Sequence, residues 1–183
     1  MKRFLALCMI FLSACNQDTQ KIEQVELLYD YDVEKRLEEL NIQLRDMPAP
    51  VANFVHAVKT GNLIFMAGKG PSKPEGGSVK GKVGVDLTVE EGYEAAKLVA
   101  IAQLSVLKQE VGDLNKVVRI VKVLGMVNAD SSFTQHPAVI NGFSDVMVDV
   151  FGERGKHARA AVGMASLPSN IAVEIEMIVE VQD

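Results

Sequence analysis

Two rhythms of apolar and polar residues run along this chain, and the changes between them divide it into elements. From Thr88 to Gly112, Ala95, Leu98, Val99, Ala102, Val106 and Leu107 recur every three or four positions. That spacing predicts a long helix with one apolar face. Thr88 stands where it can cap the first turn while Glu91 reaches back, a capping box, and Gly112 supplies a stop. "HPAVINGFSDVMVDVFG", 136–152, predicts a second helix with Pro137 in its first turn. The other rhythm is strand-like. "VHAVKTGNLIFMAG" holds two apolar runs around Lys59-Thr60-Gly61-Asn62, a hairpin signal, and "KVVRIVKVLGMV" is rich in β-branched residues. In the terminal "VEIEMIVEV" the odd positions Val173 to Val181 are all apolar, whereas the even ones are Glu174, Glu176, Ile178 and Glu180. Period two places the odd set under the helices and the acids on the opposite face. Strands, helix, strand, helix and strands together predict an α+β domain with both helices on one face of a sheet.

The region before this domain reads differently. Lys2 and Arg3 precede a short apolar run, Phe4 to Ser13, too brief to span a bilayer as a helix and typical of a secretory leader. "NQDTQKIEQ" is polar, and "DVEKRLEELNIQL" has Val33, Leu37, Leu40 and Leu44 at helical spacing, which predicts a short amphipathic helix ending near Asn41. "MPAP", 47–50, is a break. The expected division is a leader over 1–14, a tether with a short helix over 15–49, and the compact domain over 50–183.

Composition narrows the chemistry. The 19 Lys and Arg against 24 Asp and Glu give a net charge of −5, and loss of the leader's two basic residues makes it more acidic. With no basic cluster and no Trp, a nucleic-acid surface is not expected. The cysteines are Cys8 and Cys15, both at the leader, so the domain is expected to have no disulfide, no cysteine nucleophile and no Cys–metal site. His56, His136 and His157 are too scattered for metal-ligand spacing. "GGSVKGKV" fits a phosphate loop until Val83, where a Ser or Thr hydroxyl is needed, and it lacks the strand–loop–helix context. Arg159 stands out, a guanidinium among small apolar residues in "KHARAAVGM". It reads either as an edge ion pair or as one wall of a charged site, and Glu174 and Glu176 as either a solvated face or the opposing wall. His157 sits two residues from Arg159, either as a surface histidine or as a support for the arginine. Ser144-Asp145 lacks any nucleophile-elbow motif.

Two resemblances carry further expectations. "LSAC", Leu12 to Cys15, resembles the lipobox of bacterial lipoproteins. It implies that Cys15 is acylated and anchors the domain to the cell envelope. Asn16 favours the outer membrane, facing the periplasm. From about Pro50 to Val181, "TGNLIFMAGKGP", "VINGFSDVMVDVFGE" and "ARAAV…LP…VEIEMI" resemble the signature segments of the RidA family, also called YjgF/YER057c/UK114. The resemblance implies a chorismate-mutase-like mixed sheet with two helices on one face, assembled as a homotrimer. It also implies cofactor-independent hydrolysis of enamines and imines, such as 2-aminoacrylate, to 2-keto acids and ammonia, at intersubunit sites. By the same resemblance Arg159 grips the substrate carboxylate and Glu174 serves the attacking water. Asn141 lines the pocket and the main chain at Ala161 contacts substrate. The chain departs from the deaminating members at three expected substrate-binding positions, Phe54, Ala67 and Lys69, where a tyrosine, a serine and a glutamine are usual. Two hydroxyls are thereby lost, and Lys69 reads as a second cationic grip for a larger or dianionic ligand. Those changes keep open a non-catalytic trimer that binds a small carboxylate at the same arginine. The ribonuclease or translation-inhibiting activity attributed to some relatives fits the acidic balance poorly.

Overall fold

The structure is a computed structural model that describes residues 28–50 and 52–182. The leader and Cys15 lie outside the described residues. Eight elements follow in order: α1 (Val33–Glu39), β1 (Ala57–Thr60), β2 (Leu63–Lys69), α2 (Val89–Val111), β3 (Val117–Asn128), α3 (His136–Phe151), β4 (Ala158–Met164) and β5 (Val173–Val181). The strands form one sheet in the order β1-β2-β5-β3-β4, in which β3 and β4 run parallel and the other neighbours antiparallel. The fold is the α+β arrangement that the alternating rhythms predict.

Local chemistry sets the ends of these elements as read from the sequence. The Thr88 hydroxyl accepts from Glu91 N while the Glu91 carboxylate accepts from Thr88 N, so two otherwise orphaned donors of α2 are satisfied. Gly112 closes that helix at φ 74°, a conformation costly for residues with a Cβ. The β1–β2 hairpin turns through Gly61 and Asn62, with Thr60 opposite Leu63.

α2 and α3 lie on the same face of the sheet and bury Ile64 and Met66 of β2, Val123 and Val127 of β3, and Val173, Ile175, Met177 and Val179 of β5. The two helices approach very closely. A Cβ added at Gly142 would strike the Tyr93 carbonyl oxygen, so only glycine allows α3 to sit at this depth. The opposite face has no helix, and large apolar side chains stay open on it. Val58 is 55 % exposed, Phe65 44 % and Val162 40 %. A shallow cavity of about 540 Å³ lies there, lined in part by Phe65, Leu124, Ala160, Glu176 and Ile178.

The segment before Pro50 departs from expectation. The compact part does not begin near Val51, because Val33 and Leu37 are buried in the same core as the sheet and helices. Helix α1 is capped by the Asp32 carboxylate and stops at Glu39, so Leu40 and Leu44 pack as partly buried residues beyond it. Asn41 takes a positive φ of 55°, in keeping with a chain break at that residue. Polar contacts fasten the segment along its length: Tyr31 Oη to the Val150 carbonyl at 2.9 Å, Arg154 Nε to the Leu28 carbonyl at 2.8 Å, and Arg45 N to Ser105 Oγ at 3.1 Å. Helical periodicity identified the apolar stripe of α1. It could not say that the stripe's partner was the domain itself.

A core role for this strap has a measurable consequence. Leu37→Ala should lower the unfolding free energy by about 2–5 kcal/mol, the usual cost of truncating a buried leucine. Chemical denaturation of the domain checks this, and a cost below about 0.5 kcal/mol, the range of ordinary surface substitutions, would mean the strap is only loosely attached.

Candidate functional site

β4 is the edge strand of the sheet, paired only with β3, and Arg159 stands opposite Val123 in their register. Val123 faces the helices and is fully buried, so period two sends Arg159 to the helix side of the edge. There it meets α3. Both donors of its Nη1 are used, one to Asn141 Oδ1 at 2.9 Å and one to Ser144 Oγ at 2.9 Å. Asn141 and Ser144 are three residues apart and therefore share a helix face. Nε and Nη2 have no hydrogen-bond partner among the described residues, which leaves the side of the guanidinium suited to bidentate carboxylate binding unengaged. Ala161, two residues on, lies on the same edge strand, where its main chain is open on one side.

Glu174 is elsewhere. It pairs with Met126 on β3, which is opposite Val162 on β4, so it occupies the face that carries no helix. From β5 to β4 is two strand spacings, about 10 Å, and the step from Val162 to Arg159 adds about another 10 Å along the strand. Arg159 and Glu174 therefore do not face each other within one chain. They lie on opposite sides of the sheet, since one side chain belongs to the odd set of its strand neighbourhood and the other to the even set.

Each gathers a different group of the expected residues. Asn141 and Ala161 accompany Arg159. Ala67 and Lys69 accompany Glu174, through an irregularity in β2 between Met66 and Lys69 where the β2–β5 register shifts. The shift presses Gly68 against Glu174, and a Cβ at Gly68 would strike the Glu174 carboxylate. Gln103 of α2 is fully buried beneath this spot, and its amide donates to the Ala67 carbonyl at 3.0 Å and the Ile175 carbonyl at 2.7 Å. It thus holds the irregular strand to its neighbour. Phe54 stands 54 % exposed in the run leading into β1.

Lys69 is not an open cationic grip. It is only 8 % exposed, and its Nζ donates to His56 Nδ1 at 2.9 Å. The Pro48 carbonyl can only accept, so the proton on His56 sits on Nε2 and reaches that oxygen at 2.8 Å. The strap thereby ends on the lysine beside the acid. Burial lowers the Lys69 pKa, and the Glu174 charge opposes the shift. For Glu174 itself burial raises the pKa, the neighbouring Glu176 raises it further, and Lys69 pulls it back. A carboxylate with raised proton affinity and no hydrogen bond among the described residues is equipped to take a proton from water.

Sequence reasoning passed over two contributors, Ser144 and Gln103, and left His157 open as a surface histidine or a support for Arg159. Ser144 is half-buried and holds Arg159, and the Asn141–Ser144 spacing on a predicted helix was the available signal. His157 just precedes β4, is half-buried, and bonds to Ser144 Oγ at 3.0 Å. Gln103 gave no signal beyond a polar residue on an apolar helix face. Among the described residues, no group of three or more His, Cys, Asp or Glu side chains could hold a metal ion.

Comparison with known proteins agrees with this architecture. The family described as "YjgF/chorismate mutase-like, putative endoribonuclease" matches residues 34–181. The protein TCP17 of Trypanosoma cruzi is 41 % identical over 82 % of this chain and 95 % of its own length. The 2-iminobutanoate/2-iminopropanoate deaminase of Escherichia coli is 30 % identical over 75 % of this chain and 94 % of its own. Among solved structures, a protein of unknown function from Agrobacterium tumefaciens is 42 % identical, with a TM-score of 0.76 covering 82 % of this chain and 94 % of that one. The match at 34, well before Pro50, fits the burial of Val33 and Leu37. With the sheet order, the paired helices and the carboxyl-terminal signature all in place, the chain belongs to the YjgF, or RidA-type, family.

Proposed function

We propose that this protein is a hydrolytic deaminase of reactive enamines and imines, converting them to 2-keto acids and ammonia at a site shared between two copies of the chain. In this reading one copy supplies Arg159, with Asn141 and the Ala161 main chain, and its neighbour supplies Glu174, with Ala67, Lys69 and Phe54. The observation that carries the reading is Glu174, a half-buried carboxylate on the bare face of the sheet, pressed against Gly68 and without a hydrogen bond among the described residues, whose proton affinity burial and Glu176 raise. A carboxylate in that condition serves as a base better than as a structural ion. The exposed apolar face around Val58, Phe65 and Val162 favours a second copy as the neighbour, in a closed homotrimer. The similarity to a named imine deaminase supports the reaction class.

The reaction needs little machinery. The open edge of Arg159 holds the substrate carboxylate, which fixes the adjacent C=N carbon in space. Glu174 takes a proton from a water beside that carbon. The water oxygen bonds to carbon while the C=N π electrons move to nitrogen, which takes the proton back from Glu174. The carboxylate so regenerated removes the hydroxyl proton of the resulting aminol, which collapses to the ketone as the C–N bond breaks, and Glu174 passes that second proton to the departing ammonia. General-base help of this kind contributes about 10² to 10⁴ in rate. An enamine first takes a proton on carbon to become the imine. The hydroxyls absent at Phe54 and Ala67 remove hydrogen bonds to a small substrate, each worth about 0.5–1.5 kcal/mol, so the preferred imine is expected to carry a larger or more apolar side chain than 2-aminoacrylate.

Imine generated in place by an amino-acid oxidase, with keto-acid release followed over time, tests this directly. Arg159→Ala should raise KM on the order of 10²-fold, the loss of one charged hydrogen-bonded contact of about 3 kcal/mol. Glu174→Gln should lower kcat by about 10²-fold or more. Because Glu174 must be ionised and its pKa is raised, activity should fall as pH drops through a value above that of an ordinary glutamate. Glu176→Gln removes a like charge and should move this acid limb to lower pH, and Lys69→Met removes the opposing cation and should move it to higher pH. Carboxylate binding at Arg159 with no acceleration by wild type would make the protein a binding module instead.

We also infer that the chain is lipid-anchored through Cys15 at the cell envelope, on the strength of Leu12-Ser13-Ala14-Cys15. Several acyl chains on one cysteine hold a domain firmly at a bilayer. Labelled palmitate should enter wild type and not Cys15→Ser, and equal labelling of the two would reject the anchor.

A further inference from the structure

Behind Arg159 runs a chain of hydrogen bonds whose direction can be read from its end. The Gly155 carbonyl can only accept, so His157 Nδ1 carries the proton and donates to it at 2.6 Å. In the uncharged ring Nε2 is then an acceptor, and at 3.0 Å it takes the hydrogen of the Ser144 hydroxyl. That leaves a lone pair of Ser144 Oγ turned toward Arg159, whose Nη1 donates to it at 2.9 Å. All the bonds point one way, from guanidinium to serine to imidazole to main chain. Asn141 Oδ1 fixes the second Nη1 donor at 2.9 Å, so the plane of the guanidinium is set by two acceptors on one helix face.

The surroundings keep the ring in this state. Burial lowers the His157 pKa, the bond to the Gly155 carbonyl opposes the shift, and the charge of Arg159 lowers it again. Ser144 packs on the ring from α3 and Gly155 from the turn before β4, while Arg159 is the charged group acting on it from β4. A histidine with unshifted surroundings would spend part of its time as a cation at mildly acidic pH. That cation would reverse the bond to Ser144 and place a second positive charge beside the guanidinium.

We propose that His157 and Ser144 are positioning residues for the substrate-binding arginine: the uncharged imidazole orients the Ser144 hydroxyl, and the hydroxyl orients Arg159 so that its Nε–Nη2 edge is presented to a carboxylate. The proposal rests on the reading of Arg159 as the carboxylate-binding group. It assigns to His157 no contact with the reacting atoms. A support that acts only through the arginine should change how well the carboxylate is held and leave the chemical step nearly untouched.

The test uses the full assembled domain in the imine assay, with thermal unfolding as a check on integrity. Ser144→Ala and His157→Ala should each raise KM by about tenfold, the upper range for one neutral hydrogen bond, with kcat within about twofold of wild type. His157→Gln, whose Oε1 can accept where Nε2 did, should recover most of the loss. NMR of the wild-type ring, independent of any variant, should show the proton on Nδ1. The ring's titration should move upward in Arg159→Ala and when pyruvate occupies the arginine, because either change removes or offsets the neighbouring positive charge. Unchanged KM in folded Ser144→Ala, equal loss in His157→Ala and His157→Gln, or a titration indifferent to Arg159→Ala would each overturn the relay. The wider reading fails separately: if Arg159→Ala hydrolyses imine as wild type does, deamination at this site is wrong, while the NMR arm still decides whether the three residues are coupled.

Discussion

The two-residue period of a sheet covered on one side governs this molecule. Side chains of successive residues point to opposite faces, and α2 and α3 occupy only one of them. The apolar odd positions of β5 therefore go under the helices, and Glu174 and Glu176 are forced to the bare face. The same rule, acting through the parallel register of β3 and β4, turns Arg159 the other way, onto α3. On the reading proposed here, a single chain thus makes two half-sites that cannot meet. One has a guanidinium with its Nε–Nη2 edge unengaged among the described residues, and the other has a half-buried carboxylate on the bare face. An uncovered apolar face beside the second half-site is where the missing half belongs, on the reading proposed here.

Each half-site is built with more support than its chemistry alone requires. Arg159 is held by Asn141 and Ser144, which are in turn carried on a helix seated deeply because Gly142 has no side chain. Glu174 is hemmed in by Gly68, which the irregularity in β2 brings up to it, and Gln103 ties that strand to β5 from below. Lys69 moderates the proton affinity of the acid and is fixed through His56 to the Pro48 carbonyl. The amino-terminal strap accordingly does two things. Val33 and Leu37 complete the core, and the Pro48 carbonyl at its far end holds His56 against the lysine beside Glu174. Buried polar groups of this sort are costly unless bonded, and here the bonds are what hold the lysine in place.

Much of this was legible beforehand, and the reasons differ from residue to residue. Thr88, Glu91 and Gly112 act through bonds within a few positions of themselves, so spacing alone revealed the limits of α2. The face carrying Glu174 followed from alternation in one strand. The family signature pointed to Arg159, Asn141 and Glu174, yet alternation within separate strands could not show that the arginine and the acid lie on opposite faces, because that depends on a register between β3, β4 and β5. Ser144 escaped notice, and His157 stayed open between a surface and a supporting role, for a similar reason: each acts on Arg159 through side-chain geometry that no periodicity records. The strap was misplaced because an amphipathic stripe states that it needs a partner and is silent about which. Lys69 looked like an added charge for a ligand, and only its burial against His56 shows that its lone visible partners are the protein's own.

The claim that one site is made by two copies can be tested by complementation. Arg159→Ala and Glu174→Gln chains, each crippled alone, would be co-expressed in equal amounts and assembled together. If arginine and acid come from adjacent copies, random mixing should restore about one quarter of the wild-type sites, since that is the chance that a copy with Arg159 is followed by one with Glu174 in a closed ring. Mixed assemblies as inactive as their parents, or a stable monomer with full activity, would contradict the account.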